Sequence, residues 1–110
     1  NTLAGWFAQE LGTARRKQAQ AYFALTEQEG LLRGLLRGVL ASPAALAIIP
    51  MADWLEAPAE ARMNTPGKSR GNWQWRADEK ALTPALAREI RTMTARYFRT
   101  EAIPPREKSV

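Results

Sequence analysis

Apolar positions follow two different rhythms along this chain. From Gly30 to Ala41 the sequence reads GLLRGLLRGVLA, with Leu31, Leu32, Leu35, Leu36, Val39 and Leu40 at i, i+1, i+4, i+5. That spacing gathers them on one wide stripe of a helix. Arg33 and Arg37 fall on the opposite side with Gly34 and Gly38. Glycine inside a helix costs about 1 kcal/mol relative to alanine, so two of them four apart predict close approach of another backbone. A helix lying on a membrane surface is the alternative use of such a stripe. The second rhythm is Ala47-Ile48-Ile49-Pro50-Met51, an unbroken apolar run with two β-branched residues. It predicts a short strand buried on both faces, as in a parallel sheet. Pro50 lacks a ladder donor and belongs at the strand's end. One strand cannot make a sheet, so the pattern asks for partner strands that the chain does not contain.

The remaining elements read as helices and one structured loop. Trp6 and Phe7 open a short segment that stops near Gly12. Thr13 is the expected N-cap of a helix reaching about Gln28, with Ala14, Ala21, Tyr22 and Leu25 as a loose apolar face and Gly30 at its end. Ser42-Pro43 predicts a cap and a short helical turn through Leu46. Asp53 and Glu56 have capping-box spacing for a further short helix. Pro66, Gly67 and Gly71 make Arg62–Arg76 a loop with defined turns. Thr83-Pro84 starts a last helix buried through Leu86, Ile90, Met93 and Tyr97. The fold class expected of the isolated chain is therefore mainly α with one short strand.

Composition narrows the chemistry. There is no Cys and no His, which excludes disulfides, thiolate metal sites and an imidazole-based triad within the chain. No metal site or cofactor is expected. Net charge is +5 with twelve Arg against four Lys, dispersed along the sequence. Such a balance can suit nucleic acid or an acidic membrane surface; the alternative is a piece of a larger protein whose remaining part is acidic, with the charges simply dispersed over the surface. The Arg residues of the last helix, Arg88, Arg91, Arg96 and Arg99, do not form one stripe, so neither a nucleic-acid nor a membrane partner is expected. A small basic helical interaction or nucleic-acid-binding module is the alternative reading. The most apolar region, Leu31–Pro50, carries two Arg and ends in Pro, unlike a span of about 20 apolar residues. No signal-peptide pattern opens the chain, and a cytoplasmic location is expected.

The most specific feature is Arg62-Met63-Asn64-Thr65-Pro66-Gly67 followed by Gly71-Asn72-Trp73-Gln74-Trp75-Arg76. It resembles the C-terminal signature of the amylomaltases, a bacterial 4-alpha-glucanotransferase family. Thr2-Leu3-Ala4-Gly5-Trp6 is similar to the family's Thr-x-x-Gly-Trp. Ser42-Pro43-Ala44 and Ile49-Pro50 are similar to its lead into the last barrel strand, and Asp53-Trp54-Leu55 to the Gln-Asp-x-Leu that follows. Ala52 stands in the place of that Gln, and Lys68 where Thr is common.

The resemblance implies that residues 1–99 are the C-terminal segment of a catalytic (β/α)8 TIM barrel and that 100–110 are a flexible tail. It implies transfer of α-1,4-glucan segments between maltodextrins with retention, by a carboxylate nucleophile, a carboxylic acid/base and a supporting carboxylate. All three would lie upstream of Asn1, the last just before the Thr-x-x-Gly-Trp motif. No catalytic residue is therefore expected here, and the chain alone should be inactive and prone to self-association. Asn64 matches an asparagine facing the sugar cleft; an amide both donates to and accepts from vicinal hydroxyls, and an Asx turn before Pro66 is the competing use. Asn72 and Trp73 are the further candidate sugar contacts, alternatively locking the loop or, for the Trp, packing in a core. Pro66 and Gly67 should shape the loop, and Arg62 should pair with a carboxylate of the barrel. Trp75 and Arg76 are expected to be structural, and Asp53 to be a cap or loop anchor.

Overall fold

A computed structural model describes residues 1–100; the expected tail lies almost wholly outside them. Helix α1 (Leu3–Gly5) runs on into a wider π-type turn over Trp6–Glu10. Then follow α2 (Thr13–Tyr22), α3 (Leu31–Leu40), α4 (Met51–Trp54) and α5 (Pro84–Arg96), with 3-10 turns at Ala59–Ala61 and Glu79–Ala81.

The apolar stripe of α3 behaves as its spacing predicts. Leu36 and Leu40 are buried with Trp54 of α4 and Met93 of α5, and Leu3, Ile49, Leu86, Ile90 and Tyr97 close around them. The opposite side explains the glycines. A Cβ on Gly34 would lie 2.5 Å from Leu25 Cδ2, and one on Gly38 would lie 2.6 Å from two ring carbons of Phe23. The close approach is thus made by side chains of the preceding segment, not by a neighbouring backbone. Arg33 and Arg37 reach past these glycines. Arg33 donates to Glu89 at 2.6 Å and to the Trp54 carbonyl at 2.7 Å, and its guanidinium lies 5.6 Å from the Trp54 ring. Arg37 binds Glu29 and the Phe23 carbonyl; the Glu29 hydrogen bond holds its pKa above the ordinary value despite some desolvation.

Three elements depart from the sequence pattern. Helix α2 starts without a Thr13 cap, Gly12 holding that position, and it ends at Tyr22, not near Gln28. The chain reverses at Ala24, which has a φ of 51°, and this turn delivers Phe23 and Leu25 to the α3 glycines. No residue of α2 is buried, and Tyr22 is 82% exposed. Ser42-Pro43 starts no helix. Arg99 instead collects the carbonyls of Leu40, Ser42 and Ala44 at 2.7–3.0 Å.

The expected strand does not form: residues 46–50 are irregular, and no strand occurs among the described residues. A strand requires a partner to satisfy its backbone. Ile49 packs on the core while Leu46 and Ile48 stand 74% and 78% exposed. Met51, expected to close the strand, begins α4, and Asp53 lies inside that helix instead of capping it. Glu56 takes a φ of 53° and completes no capping box. The radius of gyration is 16.6 Å, against about 13 Å for a compact chain of this length. No helix among the described residues is long and apolar enough to cross a membrane.

Candidate functional site

The Arg62–Arg76 stretch is a closed loop held by a few defined contacts. The Trp73 amide donates to the Met63 carbonyl at 2.5 Å, bringing the two ends together. Trp73 pays for this turn with a left-handed backbone (φ 62°), and Gly67 and Gly71 take φ values of 84° and 82°, which glycine adopts freely. Inside the loop, Asn72 Oδ1 accepts from the Thr65 amide at 2.8 Å and its Nδ2 donates to the Lys68 carbonyl at 2.9 Å. Arg62 Nε donates to the Asn64 carbonyl at 2.8 Å, so among the described residues it pairs with the loop backbone and with no carboxylate. At the loop's exit Trp75 packs on the buried alanines Ala52, Ala57 and Ala61.

These bonds sort the candidate residues. Asn72 uses both ends of its amide to hold the loop, as Pro66 and Gly67 hold its turns. Asn64 is exposed, and its amide makes no hydrogen bond among the described residues, so the Asx turn is absent. Trp73 is 70% exposed, which corrects the expectation of core packing for it. Its ring is available as a stacking face. Core packing holds for Trp54 and Trp75.

Asn64 lines a cleft of about 220 Å³. Ala61, Arg62 and Met63 line it with Asn64, as do Pro50, Ala52 and Asp53 and, from the start of the chain, Asn1 and Thr2. These segments are joined by contacts that the sequence pattern does not reveal. Asp53 Oδ1 accepts from the Leu3 amide at 2.8 Å across fifty residues of sequence. Thr2 is buried, and its Oγ1 caps α1 by accepting from Gly5 N. Gly5 lies so close to the Ala59 backbone that an added Cβ would approach Ala59 Cα to 2.9 Å. Asp53 therefore anchors the start of α1 through the Leu3 amide and does not cap its own helix. The Thr-x-x-Gly spacing marks a helix start, whose first amides need partners from outside the helix, but it does not say that Asp53 supplies one.

The cleft has one carboxylate, Asp53, and no group of three or more potential metal ligands occurs among the described residues. Arg16, Arg33, Arg37, Arg62 and Arg99 all bind backbone carbonyls, so much of the basic excess is structural and no continuous cationic track lines the cleft.

Comparison with known proteins places this architecture. A family model described as 4-alpha-glucanotransferase matches residues 1–83, which include the residues lining the cleft. The 4-alpha-glucanotransferase of Clostridium butyricum is 40% identical over 101 residues, covering 92% of this chain and 21% of that protein. That of Streptococcus pneumoniae is 38% identical over 99 residues, covering 90% and 20%. An amylomaltase from Streptococcus agalactiae, solved in complex with acarbose, superposes with a TM-score of 0.81 at 31% identity, covering 87% of this chain and 19% of the other. The chain belongs to the 4-alpha-glucanotransferase family. It spans about a fifth of the length of these relatives.

Proposed function

We propose that this chain works as the C-terminal part of a longer 4-alpha-glucanotransferase, closing a (β/α)8 barrel and supplying one side of its glucan cleft. The reaction is transfer of an α-1,4-glucan segment from one maltodextrin to the 4-hydroxyl of another, with retention. The observation that carries this reading is the family match over residues 1–83, which contains the whole cleft. Within it, Asn64 offers an unpaired amide to sugar hydroxyls, suited to donate and accept at once. Trp73, on the same loop but outside the cleft lining, offers an exposed ring of the size that covers a hexose face. Asn72 serves them by holding the loop.

Retaining transfer uses two carboxyl groups about 5–5.5 Å apart. Asp53 is the one carboxylate lining this cleft among the described residues, and it is already bound to the Leu3 amide. The nucleophile and acid/base belong to the remainder of the longer enzyme, and the 110-residue chain alone is inactive. The exposed Leu46 and Ile48, irregular here, are apolar surface that a neighbouring part of the longer enzyme would cover. The reading is tested by incubating maltotriose with the longer enzyme and separating products by thin-layer chromatography. Longer and shorter maltodextrins support it; unchanged maltotriose refutes it. A cytoplasmic setting, where maltodextrins are metabolised, fits this activity.

A further inference from the structure

Asp53 faces the cleft, yet its carboxylate is occupied by the chain itself. Asp53 Oδ1 holds the first amide of α1, Leu3 N, at 2.8 Å. The next constraint is Thr2, buried and bonded to Gly5 N; the next is Asn1, whose Oδ1 accepts from Thr2 N at 2.8 Å and whose Nδ2 reaches Glu10. Asn1 and Thr2 line the cleft together with Asn64. Asp53 in turn sits on a firm support. Its neighbour Trp54 is buried in the main core, and the Trp54 carbonyl accepts from Arg33 at 2.7 Å. A rigid path thus runs from α3 through Arg33, Trp54 and Asp53 to the backbone at Leu3.

We infer that Asp53 is a positioning residue for glycosyl transfer: through the Leu3 amide it fixes the Asn1–Thr2 part of the cleft that Asn64 also lines. This rests on the glucanotransferase reading above. Its carboxylate neither contacts glucan nor exchanges a proton; what matters is an oxygen acceptor at that one place. The loop bearing Asn64 and Trp73 has its own ties through Asn72 and Trp75, so its proposed glucan contacts do not depend on the Asp53–Leu3 bond. Displacing a reacting group by about 1 Å costs up to a hundredfold in rate, so the loss appears in kcat.

The test is steady-state maltotriose disproportionation by the longer enzyme and its Asp53→Asn, Asp53→Glu and Asp53→Ala variants, with melting temperatures alongside. Asn keeps an acceptor oxygen in the same place without the charge; Glu keeps the charge and moves the acceptor by one methylene. The expected result is kcat within about threefold of wild type for Asp53→Asn, and a loss of about tenfold or more for Asp53→Glu and Asp53→Ala, with KM within about threefold throughout. Asp53→Glu retaining activity while Asp53→Asn loses it would show a role for the charge and overturn the inference. So would an unchanged kcat in Asp53→Ala, or a loss in Asp53→Glu matched by an equal collapse in melting temperature. Should Asp53→Ala not fold, the Asn and Glu pair decides alone. A wild-type enzyme with no activity defeats the functional reading, and this inference with it.

Discussion

Two asparagines eight residues apart carry the same amide to opposite ends. Asn72 turns inward and binds Thr65 N and the Lys68 carbonyl, whereas Asn64 is exposed at the cleft with its amide unbound among the described residues. Their substitutions should separate cleanly. Asn64→Ala leaves stability within about 0.5 kcal/mol, as for surface changes that break no bond, and lowers kcat/KM of the longer enzyme about tenfold by removing sugar hydrogen bonds. Asn72→Ala acts on the loop and costs about 1–2 kcal/mol in urea unfolding for two lost hydrogen bonds. Equal stability losses in both variants would contradict this division. Arg33 is the other decisive single residue. With its side chain 19% exposed and bonded to Glu89 and the Trp54 carbonyl, Arg33→Ala should cost about 2 kcal/mol by denaturant titration. Arg33→Lys should recover only part of that, since an ammonium cannot reproduce the guanidinium fork.

Among the elements, glycine positions govern how α1 and α3 are seated. Gly5→Ala should destabilise by about 1–3 kcal/mol, because the neighbour it meets is the Ala59 backbone and cannot swing aside. The measurement is chemical denaturation, and a stabilised Gly5→Ala variant would show that α1 and the Ala59–Ala61 turn are less closely docked than described. The same elements show what the sequence discloses. The α3 stripe was legible because a helix signals itself locally, through the period of Leu31 to Leu40. Thr83-Pro84 likewise marked α5, with Thr83 Oγ1 bonding Leu86 N. Ser42-Pro43 carries the local signal of a helix start but forms none, because Arg99, 57 residues away, binds the carbonyls there. Helix α2 stops short of Gln28 because Phe23 and Leu25 pack against Gly38 and Gly34. The Asp53–Leu3 bond is invisible to any local pattern for the same reason: it joins residues distant in sequence.

At the scale of the molecule, the surface is larger and more apolar than a compact chain of this mass needs. The accessible area is 8717 Å², against about 6,100 Å² for a compact protein of this mass. Leu46, Ile48, Met51 and Phe98 are exposed apolar side chains, and the 46–50 segment carries strand chemistry without a strand partner. Apolar surface of this kind promotes association. The isolated chain should therefore run larger than 12.3 kDa in light scattering at high concentration, and Ile48→Lys, which puts charge on the unpaired segment, should shift it toward monomer. A clean wild-type monomer would contradict the reading of that segment as an unpartnered strand.

If this chain supplies one side of a glucan-transfer cleft whose catalytic carboxylates lie elsewhere in a longer enzyme, the two should differ in maltotriose disproportionation measured side by side under the same conditions. The expected result is a ladder of longer and shorter maltodextrins from the longer enzyme and unchanged maltotriose from the 110-residue chain alone. A ladder from the chain alone would mean that it holds a catalytic pair not recognised in the cleft, and unchanged maltotriose from both would contradict the assignment of glucan transfer.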